Sequence, residues 1–168
     1  MTSQPFVRFE RLKSAHDRAG FQCENPTLTE YFQKFAGQNE RGDLAACFIA
    51  LGHGDRIVGY YTLSAHAVLR DELSDDQTKG MPRHNRIPAF LIGRLARDLS
   101  ARGQGVGELL LMDAFARLAS TEAAGRMVVV DPIDDNAKAF YVRYGFQPLG
   151  RATARLYLPM KAVRQALA

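Results

Sequence analysis

A glycine-rich stretch in the second half of the chain is the first feature that could do chemistry. It stands between an apolar segment and a long amphipathic one and runs Arg102-Gly103-Gln104-Gly105-Val106-Gly107. Glycines leave backbone N–H groups uncovered, and a helix N-terminus adds positive potential, so such a loop can hold a pyrophosphate largely by main chain. A loop that merely turns the chain would use the same residues. The GK[ST] ending of a Walker loop and the acidic partner of a dinucleotide fingerprint are both absent, which excludes those two classes.

A second group of residues that could take part in a reaction follows about thirty residues later. Its spacing is D-x-x-A-x-x-F-Y-x-x-x-G-F, from Asp134 through Phe140 and Tyr141 to Phe146. A tyrosine hydroxyl is protonated at neutral pH and can donate to a leaving group as negative charge develops there. Asp134 has the residue type of a helix N-cap. The aromatic residues would also suit the core face of an amphipathic helix, so the spacing by itself leaves both roles open.

The elements that must position these groups are predicted to form one α/β or α+β domain. The chain has 168 residues, of which 46% are hydrophobic and 24% charged. That is enough for one core, and strand-like and helix-like patterns alternate without repeat or linker, so a single domain over residues 1–168 is expected.

Apolar periodicity and turn residues set the predicted boundaries. Strands are expected at Phe6–Leu12, Leu44–Leu51, Ile57–Val68, Ile87–Ala96, Arg126–Val130 and Arg155–Met160, the second and third forming an antiparallel hairpin. Helices are expected from Thr27, with Glu30 completing a capping box, over Gln104–Thr121 and over Asp134–Tyr144.

The charge and composition of the chain limit the kinds of ligand and the cellular location that can be expected. The formal net charge is +4, and residues 86–168 hold 12 basic against 7 acidic side chains, while residues 1–85 hold 10 against 11. A basic second half suits a polyanionic ligand. No apolar run approaches the roughly 20 residues that span a bilayer, so a cytoplasmic protein is expected. Cys23 and Cys47 lack CxxC spacing and the four histidines lack ligand spacing, which predicts buried free thiols and no metal.

The order of strand, RxxGxG loop, helix, strand and FYxxxGF helix resembles the GCN5-related N-acetyltransferases (GNAT). The resemblance implies an α+β fold with a mixed, mostly antiparallel central sheet flanked by helices, and acetyl-CoA as co-substrate. It also implies that Tyr141 is the catalytic acid and that backbone N–H groups near Leu95–Arg97 meet the oxyanion. The coenzyme-binding residues implied are Leu95, Ala96, Arg97, Arg102, Gly103, Gln104, Gly105, Val106, Gly107, Asp134, Phe140 and Tyr144.

Further pieces resemble the acetyltransferase toxins of bacterial toxin–antitoxin pairs. Together they cover most of the chain: Phe21-Gln22-Cys23 with Leu28-Thr29-Glu30-Tyr31-Phe32, Gly59-Tyr60-Tyr61-Thr62-Leu63-Ser64, Ile92-Gly93-Arg94-Leu95-Ala96-Arg97-Asp98, and Arg155-Leu156-Tyr157-Leu158-Pro159-Met160-Lys161. Such toxins acetylate the amino group of aminoacyl-tRNA and block translation. The resemblance implies an aminoacyl-tRNA substrate, a ribbon-helix-helix antitoxin and a homodimer. The arginines expected to contact the RNA backbone are Arg83, Arg86, Arg94, Arg143, Arg151 and Arg155.

Three positions depart from the pattern of these families. Glu24 stands where many relatives have glycine, Arg97 where they have a small apolar residue, and Asp134 where the general pattern has asparagine. Arg97 could pair with a phosphate or reach the tRNA acceptor end. Two other functions remain open: an acetyltransferase for a small amine or a protein N-terminus, and a non-enzymatic coenzyme A-binding module.

Overall fold

The computed structural model describes residues 7–151 and 154–168. Within them the strands form one seven-stranded sheet in the order β1-β2-β3-β4-β5-β7-β6. The pairs β1–β2, β2–β3, β5–β7 and β6–β7 are antiparallel, and β4–β5 is parallel. The predicted mixed, mostly antiparallel sheet is therefore confirmed. The strands are β1 (Arg8–Arg11), β2 (Ala46–Leu51), β3 (Ile57–Leu69), β4 (Arg86–Arg97), β5 (Met127–Val130), β6 (Gln147–Pro148) and β7 (Leu156–Pro159).

Six α-helical segments lie in the described part of the chain. They are α1 (Pro26–Glu30), α2 (Ala36–Arg41), α3 (Asp75–Thr78), α4 (Val106–Ser120), α5 (Asp135–Arg143) and α6 (Met160–Ala166). A π-helical turn, Tyr31–Phe35, joins α1 to α2. Beyond this turn, the Glu40 carboxylate accepts hydrogen bonds from the Cys47 backbone at 2.6 Å and from Arg11 at 2.7 Å, which ties α2 to β1 and β2.

The chain divides into two compact units, the first comprising residues 7–64 and 93–116. Its core is aromatic: Phe32 and Tyr60 stack with ring centroids 4.4 Å apart, and Phe21 meets both rings edge-on. Cys23 and Cys47 are free thiols within this core, as predicted. The long helix α4 contributes buried Leu110, Leu111, Ala114 and Phe115.

The second unit comprises residues 65–92 and 117–168, apart from 152–153. All four residues of β5 are buried, which explains its unbroken apolar sequence. Aliphatic side chains from several elements complete the core, including Val68, Ile87, Val129 and Leu149.

The N-cap of the first helix lies two residues earlier than expected. The Asn25 side chain, rather than that of Thr27, caps it by accepting hydrogen bonds from the N–H groups of Thr27 at 2.9 Å and Leu28 at 3.2 Å. Pro26 occupies the first turn, where its missing N–H costs nothing. The capping-box prediction is wrong because Asn25, just upstream, caps the helix, which places Thr27 and Glu30 inside α1.

The other predicted elements are found with small shifts, and the sequence analysis assigned no structure to the segments that form α3, β6 and α6. The hairpin of β2 and β3 is confirmed, and Phe6 lies outside the described residues. The polar segment after β3 forms a 3-10 turn and α3, and the chain after β7 forms α6.

Asp98 anchors the end of β4. Its carboxylate is buried and accepts hydrogen bonds from the Gln22 backbone at 2.8 Å and from the Ser100 backbone at 2.9 Å and hydroxyl at 2.5 Å. Burial favours the neutral acid, but these donors and the nearby Arg56 outweigh it, so the pKa of Asp98 is lowered. The carboxylate therefore joins β4 to the segment that precedes α1.

We expect Asp98→Ala to lower the free energy of unfolding by about 3 kcal/mol at pH 7, because buried N–H groups lose their acceptor. Since the folded pKa is lowered, this contribution is complete above about pH 5 and is lost as the pH falls through the folded pKa. Urea unfolding across that range measures it. Glu30→Ala, at an exposed ion pair with Lys34, is the control and should cost less than about 1 kcal/mol. If the loss of unfolding free energy in Asp98→Ala were as large at about pH 2 as at pH 7, Asp98 would not stabilise the fold as a carboxylate.

Candidate functional site

The glycine loop follows β4 and opens directly into α4. Gly103 and Gly105 have positive φ angles of 76° and 75°, and a Cβ at either would meet nothing within 4 Å. The loop from Arg102 to Gly105 is exposed, and Val106, the first residue of α4, is buried. The structure thus places an open main-chain loop at the N-terminus of a 15-residue helix, an arrangement that suits a phosphate group.

The strand that leads to this loop extends beyond its pairing with β5. The last β4–β5 pair is Ile92 with Val130, whereas β4 continues to Arg97. In the described residues, five positions of β4, Gly93–Arg97, therefore lie past that pairing. Backbone N–H groups in such an extension can donate to a ligand. Leu95, Ala96 and Arg97, named from the sequence, all lie in it.

An ion cluster of one acid and two arginines stands beside the loop. Glu24 Oε1 accepts from Arg97 Nη2 at 2.6 Å and from Arg102 Nη2 at 3.1 Å and Nε at 3.3 Å. Partial burial alone would raise the pKa of Glu24, but its own backbone N–H and the two arginines lower it overall. Arg97 Nη1 is buried and, among the described residues, has no hydrogen-bond partner.

The tyrosine of the second motif lies on α5 in the second unit. Tyr141 is 6% exposed, and its ring packs edge-on against Phe140 at 5.3 Å and Phe146 at 5.2 Å. Burial raises the pKa of Tyr141 above its ordinary value. The side chain is therefore a neutral phenol that can act as a proton donor.

Two other sequence-named residues of this helix have clear local roles. Asp134 caps α5 by accepting from the Ala137 N–H at 2.8 Å, which confirms the predicted N-cap. Tyr144 ends the helix and packs against Phe140 at 5.1 Å.

The arginines named for RNA contact fall into two groups. Arg83, Arg86 and Arg151 are exposed. The other three make contacts within the protein: Arg94 lies 3.6 Å from the centre of the Tyr31 ring, Arg143 lies 5.2 Å from that of Tyr144, and Arg155 forms a two-pronged ion pair with Asp131.

The sequence analysis missed a hydrogen-bonded chain in the second unit. Asp131 directly follows β5 and binds Arg155 at 2.7 and 2.9 Å, and Arg155 Nη1 donates to His66 Nε2 at 3.0 Å. Asp131 and Arg155 also line a cavity of about 960 Å³. Because an arginine can only donate, Nε2 accepts, and a neutral His66 therefore carries its proton on Nδ1. An acidic residue at the carboxyl end of a parallel strand was the available signal.

Neither a metal cluster nor a membrane helix is found in the described ranges. No group of three or more His, Cys, Asp or Glu side chains there is arranged to hold a metal ion. None of the helices described is both long and apolar enough to cross a bilayer.

Comparison with known proteins finds a matching family model, a similar curated protein and two similar solved structures. The family model described as an acetyltransferase (GNAT) domain matches residues 43–148. A tRNA-acetylating toxin from Mycobacterium tuberculosis is 32% identical over 156 residues, covering 92% of each chain. AtaT complexed with acetyl-methionyl-tRNAfMet superposes with a TM-score of 0.86 at 25% identity, covering 97% of this chain and 100% of that one. A tyrosine-to-phenylalanine mutant of AtaT, bound to the C-terminus of the antitoxin AtaR and acetyl-CoA, gives 0.80 at 25% identity, covering 96% and 97%.

We expect Arg155→Ala to raise the pKa of His66. Burial is the main cause that lowers this pKa, and the Arg155 charge is the next. An NMR titration of the imidazole signals measures the change. Arg151→Ala removes the same charge from another residue that lines the cavity and should leave the His66 titration where it is. An unchanged or lower value in Arg155→Ala would contradict the contact.

Proposed function

The chain belongs to the GNAT family of acetyltransferases, and from that premise we propose that it acetylates the amino group of aminoacyl-tRNA and so blocks translation. The observation that carries the proposal is the open glycine loop at the start of α4, in a chain similar over nine-tenths of its length to a tRNA-acetylating toxin. The acetyl donor is acetyl-CoA, and the protein acts as the toxin of a toxin–antitoxin pair.

In this proposal the coenzyme is held mainly by backbone. The N–H groups of residues 103–107 receive the diphosphate at the N-terminus of α4, and Arg102 adds a side-chain contact. The extension of β4 from Leu95 to Arg97 supplies further N–H groups along the coenzyme. Phe140, Tyr144 and the capping residue Asp134 are proposed as additional contacts from α5.

The chemistry requires little acid–base assistance from side chains. The neutral α-amino group attacks the thioester carbonyl, and its proton leaves to water, because an α-amino group already titrates near neutrality. Backbone N–H groups of Leu95–Arg97 stabilise the oxyanion of the tetrahedral intermediate. When that intermediate collapses, the C–S bond breaks, the amide forms, and Tyr141 protonates the departing thiolate.

The partners proposed for this chain, an RNA and an antitoxin protein, are based on its exposed arginines and on its similarity to toxins. We propose that exposed Arg83, Arg86, Arg143 and Arg151 contact phosphates, and that Arg94 and Arg155, which also make contacts within the protein, add positive charge to the RNA-binding surface. We further propose a homodimer, a ribbon-helix-helix antitoxin and a cytoplasmic location, where charged tRNA is found.

The test is incubation of the purified protein with acetyl-CoA and total charged tRNA, followed by mass spectrometry of the released aminoacyl-adenosines. We expect an N-acetyl adduct and, on expression in cells, growth arrest that the upstream antitoxin gene relieves. Acetylation of small amines or protein N-termini, without any aminoacyl adduct, would overturn the proposal in favour of an ordinary acetyltransferase. Coenzyme binding without any acetylated product would favour a binding module.

For Tyr141→Phe we expect kcat to fall about 10²- to 10³-fold, because the ring remains and the proton donor is lost. Calorimetry should show the acetyl-CoA dissociation constant changed by less than about twofold, which would place the defect in the chemical step. Tyr157→Phe on β7 makes the same chemical change away from the proposed machinery and should keep full turnover. A Tyr141→Phe enzyme with wild-type kcat would remove Tyr141 from the mechanism.

A further inference from the structure

We propose that Glu24 is a built-in counter-anion of the coenzyme loop: its carboxylate competes with the coenzyme diphosphate for Arg102, and Arg97 holds it in place. The inference rests on the proposed function, since it requires that the loop bind coenzyme A. The three residues are called the Glu24 cluster. All of them lie in the first unit, and none of the comparisons assigns them a role.

The Glu24 carboxylate occupies donors of Arg97 and Arg102 that could otherwise bind another anion. A single oxygen, Glu24 Oε1, receives the Nε and Nη2 hydrogens of Arg102 as well as Arg97 Nη2. The Nε–Nη2 edge is one that an arginine offers to phosphate oxygens. An incoming phosphate and Glu24 therefore compete for the same donors of Arg102.

The two arginines hold Glu24 unequally. The contact to Arg97 is the shorter, 2.6 Å against 3.1 Å, and the Arg97 side chain is 23% exposed compared with 69% for Arg102. Arg97 also leaves its Nη1 buried without a partner among the described residues, an arrangement that proteins rarely retain. When an anion arrives, Arg102 is the partner that can leave, and Glu24 stays with Arg97.

The backbone that carries Glu24 is fixed on both sides. Gln22 donates to the Asp98 carboxylate and accepts from Leu99 N–H, both at 2.8 Å. On the other side, Asn25 caps α1. Glu24 therefore cannot drift from the loop as a free surface side chain would.

The charges of the Glu24 cluster give the sign of its effect. Two arginines and one glutamate leave a single net positive charge beside the loop, and removal of the carboxylate leaves two. Coenzyme binding should tighten when Glu24 is neutralised, because the diphosphate meets more positive charge and Arg102 no longer has to be released.

A double-mutant cycle on the full-length protein tests the proposal, with coenzyme A itself as the titrant in calorimetry. We expect Glu24→Gln to tighten binding about three- to tenfold. In turnover the KM for acetyl-CoA should fall by a similar factor, while kcat stays within about twofold. Glu24→Ala serves as a second variant, expected to tighten binding in the same direction, should the glutamine variant fold poorly.

Arg97→Ala supplies the other arm of the cycle. It should weaken coenzyme A binding at least about threefold in the wild-type background, where the released Glu24 competes more strongly for Arg102, and by a smaller factor in Glu24→Gln, where only the Arg97 charge is lost. Glu30→Gln, an exposed glutamate paired with Lys34 on the same helical segment, removes one charge away from the loop and is the matched control.

The outcomes are distinguishable. Unchanged or weaker binding in both Glu24 variants overturns the inference, as does an equal loss for Arg97→Ala in both backgrounds, which would mean that Arg97 acts on the coenzyme independently of Glu24. Tighter binding in Glu30→Gln equal to that in Glu24→Gln would reduce the effect to overall charge and also overturn it. A wild-type protein that binds no coenzyme A would instead refute the proposed function.

Discussion

The buried carboxylate of Asp98 is the constraint on which the first unit depends. Its hydrogen bonds to Gln22 and Ser100 join the approach to α1 to the end of β4, 76 positions later in the sequence, and to the turn that directly follows β4 and enters the glycine loop. The lowered pKa keeps it ionised at neutral pH, so each donor faces a full negative charge. Because Glu24 follows Gln22 closely and Arg102 follows Ser100 closely, one buried anion sets the position of the Glu24 cluster.

The structure divides its polar chemistry between the two units. In the first, exposed backbone and the Glu24 cluster lie near the start of α4, where positive potential favours an anion. In the second, Asp131, Arg155 and His66 form a hydrogen-bonded chain beside a cavity, and Tyr141 is a buried neutral phenol on α5. Acetyl transfer from a thioester to an amine of nearly neutral pKa needs no strong base, and neither set of residues is required to supply one.

The sequence was most informative where local chemistry decides the structure. The β2–β3 hairpin, the Asp134 cap and the glycine loop all follow from patterns a few residues long, and all are found. The sequence was least informative where partners are distant. In the sequence, Glu24 and Arg97 are two separate departures from a family pattern, and only the fold shows that they form an ion pair across 73 positions. Likewise, no local pattern links Asp131 to Arg155 and His66. The cap of α1 was predicted wrongly for another reason: Asn25 and Thr27 are both good N-cap residues, and the sequence alone does not select between them.

The π-helical turn at Tyr31–Phe35 limits how the length of this chain can evolve. Such a turn holds one residue more than an α-helical turn, so loss of one residue there would restore a regular helix. Each residue of an α-helix turns the following segment by about 100°. Loss of that residue would therefore rotate α2 relative to α1 and take Glu40 away from Cys47 and Arg11, while Tyr31 kept its place beneath Arg94. Related chains should vary in length on either side of this turn far more readily than within it.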